Sequence, residues 1–216
     1  MGELSSGIEA EALASAAKKI ADLSRSGVEV AVVNGGGNFF RGIAGSSAFQ
    51  LERSPADQVG MLATMMNGLL LQQALTAQGV EAHVMSALEC PQVAERFHWE
   101  RARAHLSKGR ILILVGGTGH PYFTTDTAAA LRASEIGADI FLKATTRVDA
   151  IYDKDPLKES DAKPFKTIAY EDFLAQKLGI LDLTAVTLCM TNRIPIRVFN
   201  FYKGSLLDDS LGTTIR

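Results

Sequence analysis

Short apolar runs rich in β-branched residues recur along this chain, alternating with segments of helical period and punctuated by glycine, and this alternation limits the available folds more than any other feature. Ile8 to Arg25 places Ile8, Leu13, Ala16, Ile20 and Leu23 close to helical period, with Gly27 as the stop. Val28 to Val33 then reads as a buried strand running into Asn34 and three glycines. Ser54 as N-cap and Pro55 at the first helical position predict a helix to about Gln78, closed by Gly79. Strands follow at Val80 to Met85, Ile111 to Val115 and Ile140 to Leu142, separated by helices at about Gln92 to Leu106 and Thr125 to Ile136. Strands this apolar have no face for water, so the expected fold is α/β, a three-layer αβα sandwich with a mainly parallel central sheet.

A chain of 216 residues, 47% hydrophobic and 21% charged, has the composition of one ordered domain, expected over residues 1–216. The polar stretch Asp153 to Lys166 reads as a surface excursion of that domain. A formal net charge of −2 disfavours a polynucleotide partner but leaves room for a small anion held by backbone N–H groups. Cys90 and Cys189 stand far apart and show neither zinc-ligand spacing nor a disulfide framework. With no apolar run approaching the roughly 18 residues a membrane helix needs, the expected location is the cytoplasm, with no membrane partner.

In open parallel sheets ligands bind beyond the carboxyl ends of the strands, and two loops there are conspicuous. The first is Gly35-Gly36-Gly37-Asn38-Phe39-Phe40-Arg41-Gly42, where glycines let backbone N–H groups surround a phosphate and Arg41 adds a cation. It matches neither the Walker A nor the dinucleotide glycine pattern. The second runs from Gly116 to Asp126 as GGTGHPYFTTD, with hydroxyls at Thr118, Thr124 and Thr125 beside the start of a helix. Two cradles suggest two phosphorylated ligands. Thr124-Thr125-Asp126 also reads as a plain helix cap, and His120 as a surface residue; the residues alone leave both readings open.

GGGNFFRG, Ala56-Asp57 leading into Met61-Leu62-Ala63-Thr64, GTGHPYFTTD, Leu142-Lys143-Ala144-Thr145 with Val148-Asp149, Asp182-Leu183-Thr184-Ala185 and Pro195 to Asn200 together resemble the bacterial-type UMP kinases of the amino-acid-kinase superfamily, in order and over nearly the whole chain. The resemblance implies transfer of the γ-phosphoryl group of ATP to UMP, giving UDP and ADP, in pyrimidine biosynthesis. It implies UMP binding by Gly36, Asp57 and the segment Thr118, Gly119, His120, Pro121, Tyr122, Phe123, Thr124 and Thr125. For ATP it implies Gly37, Arg41, Thr146, Tyr152 and Asp155. Mg²⁺ is expected to arrive with ATP, with no dedicated protein metal site. Because a UMP phosphate is already nucleophilic, catalysis should rest on alignment and charge neutralisation, with Arg41 and Lys143 as the cations and Asp126 as a metal-linked or positioning carboxylate. The resemblance further implies a homohexamer with GTP and UTP as effectors.

The pattern departs from the family in three places. His120 stands where asparagine is usual, Thr145-Thr146-Arg147-Val148-Asp149 holds one extra residue, and the Lys-x-Ser-Gly-Glu strand that family members carry upstream is not seen before Met1. A truncated or misassigned start is the expectation from the last of these. The alternatives are a non-catalytic nucleotide-binding or storage protein on the same fold, and a superfamily kinase acting on a carboxylate.

Overall fold

A computed structural model of the chain describes residues 7–40, 50–204, 206, 208 and 210–216, which form two compact units, Met1–Thr125 and Asp126–Arg216. In the first, the described elements are α1 (Ala10–Arg25), β1 (Ala31–Val33), α2 (Arg53–Ala77), β2 (Ala82–Ser86), β3 (Glu95–Arg96), α3 (Trp99–Leu106) and β4 (Ile111–Val115). All five residues of β4 are buried, which is why it sits inside a parallel sheet of order β1-β4-β2-β3. α1 turns Ala17, Ile20, Ala21 and Leu23 inward and packs on α2, which in turn packs on β2 and β4. Gly68 makes that last contact possible, since a Cβ there would stand 2.4 Å from Val115 Cγ1.

Two expected boundaries move. The N-cap of α2 is Glu52 rather than Ser54, so Pro55 falls inside the first turn, where the N–H that proline lacks has no helical partner anyway. The segment expected as one helix from Gln92 to Leu106 is instead a turn, the strand β3 and the shorter helix α3. Pairing of Glu95 and Arg96 with Met85 and Ser86 wins over helical period there.

The second unit holds α4 (Thr125–Ile136), which opens one residue before it, β5 (Phe141–Thr145), β6 (Thr167–Ile168), α5 (Tyr170–Gln176), α6 (Leu183–Asn192), β7 (Ile196–Asn200) and β8 (Thr213–Ile215). Its sheet runs β5-β7-β8-β6, parallel except for the β7–β8 pair. Phe173, Val186, Cys189, Ile196, Val198 and Ile215 form the centre of its core. Asp182 caps α6 by accepting the Ala185 N–H at 2.7 Å, and it also accepts the Thr127 hydroxyl at 2.8 Å, which ties α4 to α6. The polar excursion closes on itself: the Asp153 N–H donates to Lys163 O at 3.1 Å and the Lys163 N–H to Asp153 Oδ1 at 2.8 Å. The fold is thus α/β with mainly parallel strand pairing, and no helix among the described residues is long and apolar enough to cross a membrane.

Candidate functional site

β1 and β4 are hydrogen-bonded neighbours running the same way, with Val33 opposite Leu114, so the two glycine-rich loops leave the sheet side by side at its carboxyl end. Together with the first turns of α2 they enclose a cleft of about 290 Å³. Gly36, Asp57, Thr118, His120, Phe123, Thr124 and Thr125 line it, as does Gly37. Tyr122, Gly119 and Pro121 lie in the same loop without lining the cleft. Arg41 falls outside the described residues.

The first loop lies directly on α2. A Cβ on Gly36 would meet Gly60 O at 2.5 Å and Ala63 Cβ at 2.8 Å, so only glycine fits without displacing backbone. Asn67 braces the same loop, donating to Gly35 O at 2.7 Å and to Asn38 Oδ1 at 2.6 Å. Thr64 braces the second loop: its buried hydroxyl accepts the Gly116 N–H at 2.8 Å and donates to Met61 O at 2.7 Å. Thr118 closes a turn by donating to His120 O at 3.1 Å while accepting the His120 N–H at 3.2 Å. Asp57 accepts the Tyr122 N–H at 2.8 Å and pairs with Arg53 at 2.7 Å. Asn67 and Arg53 are absent from the sequence-based set. A lone amide within the apolar run of α2 marks the first, and a cation four residues ahead of Asp57 marks the second.

In the second unit, Lys143 on β5 reaches Asp126 in the first turn of α4, with Nζ 2.5 Å from Oδ1 and both side chains half-buried. A separate cavity of about 420 Å³ is lined by Val148, Ile151, Tyr152, Asp155 and Leu178 among others; Thr146 is exposed and does not line it. The Tyr152 hydroxyl donates to Asp149 Oδ1 at 2.6 Å, and Lys203 Nζ lies 2.7 Å from Asp149 Oδ2. Hydrogen bonds from Lys203 and Tyr152 hold the Asp149 carboxyl below its ordinary range, and the same carboxylate pushes the Tyr152 phenol up. Asp155 spends Oδ1 on the Leu157 N–H at 3.0 Å.

Away from both cavities, His83 on β2, Glu95 on β3 and His105 on α3 bring ligand atoms within 4.8 Å of one another. Their wiring is that of a hydrogen-bond network rather than a metal cage. Arg110 Nη1 stands 3.0 Å from His105 Nδ1, and a guanidinium can only donate, so Nδ1 accepts and Nε2 carries the proton toward Glu95 Oε2 at 3.2 Å.

Residues 2–200 match the amino acid kinase family. The chain is 51% identical over 207 residues to the uridylate kinase of Magnetococcus marinus, covering 96% of this chain and 85% of that protein. It is 50% identical over 200 residues to the uridylate kinase of Protochlamydia amoebophila, covering 93% and 79% respectively. Among solved structures, the UMP kinase from Ureaplasma parvum superimposes with a TM-score of 0.93 at 34% identity, over 100% of this chain and 93% of that one. The UMP kinase from Bacillus anthracis gives 0.95 at 33% identity, over 99% and 90%.

Proposed function

Since this chain belongs to the amino acid kinase family, and within it to the bacterial-type UMP kinases, we propose that it moves the γ-phosphoryl group of ATP onto UMP, yielding UDP and ADP for pyrimidine nucleotide synthesis. The observation that carries this reading is the cleft of the first unit, where a glycine backbone, a carboxylate and a run of threonines converge. In it, Asp57 accepts a ribose hydroxyl, while Gly36 and the loop from Thr118 to Thr125 hold the rest of the uridylate through backbone N–H groups and hydroxyls.

The acceptor phosphate is anionic at neutral pH, so the chain needs no general base to activate it. The cavity beside Tyr152 and Asp155 in the second unit takes the adenine nucleotide. Lys143 supplies fixed positive charge for the transferred group. Asp126 is the residue that would hold Mg²⁺ alongside the ATP phosphates: Lys143 occupies Oδ1, and among the described residues Oδ2 makes no hydrogen bond. One carboxylate suits a cation that takes most of its ligands from phosphate and water, and the metal would there neutralise phosphoryl charge.

Assembly as a homohexamer, effector control by GTP and UTP, and a cytoplasmic location belong to the same proposal. An exposed apolar stripe on α2 at Val59, Leu62, Met66 and Leu70 supports self-association, and free Cys90 and Cys189 suit a reducing compartment. The ribose assignment is tested by Asp57→Asn, expected to raise KM for UMP about tenfold or more while KM for ATP stays put, as loss of a charged hydrogen-bond partner requires. A rise confined to the ATP KM would show the assignment to be wrong.

A further inference from the structure

We propose that Arg53 is a positioning residue of the uridylate cleft, fixing the Asp57 carboxylate and the Tyr122 turn in the one arrangement that distinguishes a ribonucleotide from its 2′-deoxy counterpart. The inference rests on the reading of Asp57 as the acceptor for a ribose hydroxyl and adds what makes that acceptor selective.

Arg53 and Asp57 stand four residues apart in the opening turns of α2, so their side chains rise from one face of the helix. Arg53 Nε lies 2.7 Å from Asp57 Oδ2. The same oxygen accepts the backbone N–H of Tyr122 at 2.8 Å. The Arg53 guanidinium also lies over the Tyr122 ring, 5.5 Å from its centroid, and the neighbouring Ser54 hydroxyl reaches the Tyr122 phenol at 3.3 Å.

Tyr122 has a φ of +72°, a conformation that costs a residue with a side chain and persists only where its surroundings hold it. Its N–H is held by Asp57 and its ring by Arg53, so one cation secures both ends of the turn. With Oδ2 engaged twice, the carboxylate cannot rotate freely, and Oδ1 is the acceptor that remains. Among the described residues it takes no other hydrogen bond.

Asp57 is half-buried, but Arg53 is 44% exposed, and an ion pair whose cation stands in water contributes little to folding. Its consequence is therefore geometric: which hydroxyl pattern the cleft accepts, more than whether the chain folds. UMP and dUMP differ by one hydroxyl, and a site built to bond that hydroxyl rejects the analogue lacking it.

The test is titration calorimetry of UMP and dUMP into the wild type and into Arg53→Met, Arg53→Lys and Asp57→Asn, with a thermal midpoint for each. The wild type should prefer UMP by about tenfold or more, the effect of one charge-assisted hydrogen bond. Arg53→Met should bring that preference close to unity with the midpoint unchanged, and Arg53→Lys, which keeps the charge but not the planar fork, should restore part of it. If Asp57→Asn abolishes the preference while Arg53→Met keeps it in full, the role of Arg53 is refuted and the ribose reading stands. If the wild type binds both nucleotides equally, the ribose reading fails and takes the role of Arg53 with it. Should Arg53→Met not fold, Arg53→Gln is judged by the same ratio.

Discussion

Gly36 illustrates how a single missing methyl group determines the geometry of the cleft. Its backbone lies against Gly60 O and Ala63 Cβ, so Gly36→Ala must lift the first glycine loop off α2. Overpacking of this kind costs about 1–3 kcal/mol, and UMP affinity should fall together with the thermal midpoint. Calorimetry on that variant checks both, and unchanged UMP binding would contradict the placement of the loop at the uridylate. At this scale the sequence was informative wherever one residue type has one physical use. Three glycines after a strand announce a close backbone approach and the threonines of the second loop announce hydrogen-bonding capacity, whereas Asp57 is singled out only by the family resemblance. Arg53 carries only the mark of a cation four residues ahead of Asp57, and its role is not legible from that spacing, because it depends on a Tyr122 backbone N–H whose acceptor lies 65 residues back along the chain.

Elements show the limits of periodicity more plainly. The strands β1, β2, β4 and β5 and the helices α1, α2 and α4 are legible as apolar patterns, but β3 is two residues long and exists because Glu95 and Arg96 pair with β2. Glu95 anchors it further, with Oε2 at 2.6 Å from His83 Nε2 and Oε1 at 3.0 Å from Arg101 Nε. Burial is the largest influence on Glu95 and would raise it, yet hydrogen bonds from His83 and His105, with Arg101, outweigh it and hold the carboxyl below 4.5. Burial, then the neighbouring His83, lowers His105 below the ordinary 6.5. Both groups bind protons more readily in the unfolded chain, so their contribution is complete above pH 6.5 and is lost on acidification, first through His105 and then through Glu95. Thermal unfolding between pH 7.5 and 5, about the histidine range, should therefore show a midpoint that falls with pH in the wild type and falls less in His105→Gln. A wild-type midpoint that rises on acidification would refute this account of β3.

For the whole molecule, alternation of strand and helix was enough to give an α/β fold with mainly parallel pairing, because strands apolar on both faces must be covered on both. Patterning marks α2 only as a long apolar-rich helix, and the fold adds that its Leu62 and Met66 are 55% and 50% exposed, which supports the proposed self-association. Leu62→Glu should lower the sedimenting mass of the protein while leaving its fold intact, since a charge in an apolar contact blocks association. An unchanged mass would remove α2 from the interface. The identity of UMP as the phosphoryl acceptor is what we propose for the molecule as a whole. It is tested most directly by following ADP release with ATP and Mg²⁺ while offering UMP, CMP and a free amino acid in turn. Turnover with UMP, well above that with the other two, is the predicted result; turnover with the amino acid in preference to UMP, or with none of the three while uridylate still binds, would contradict it.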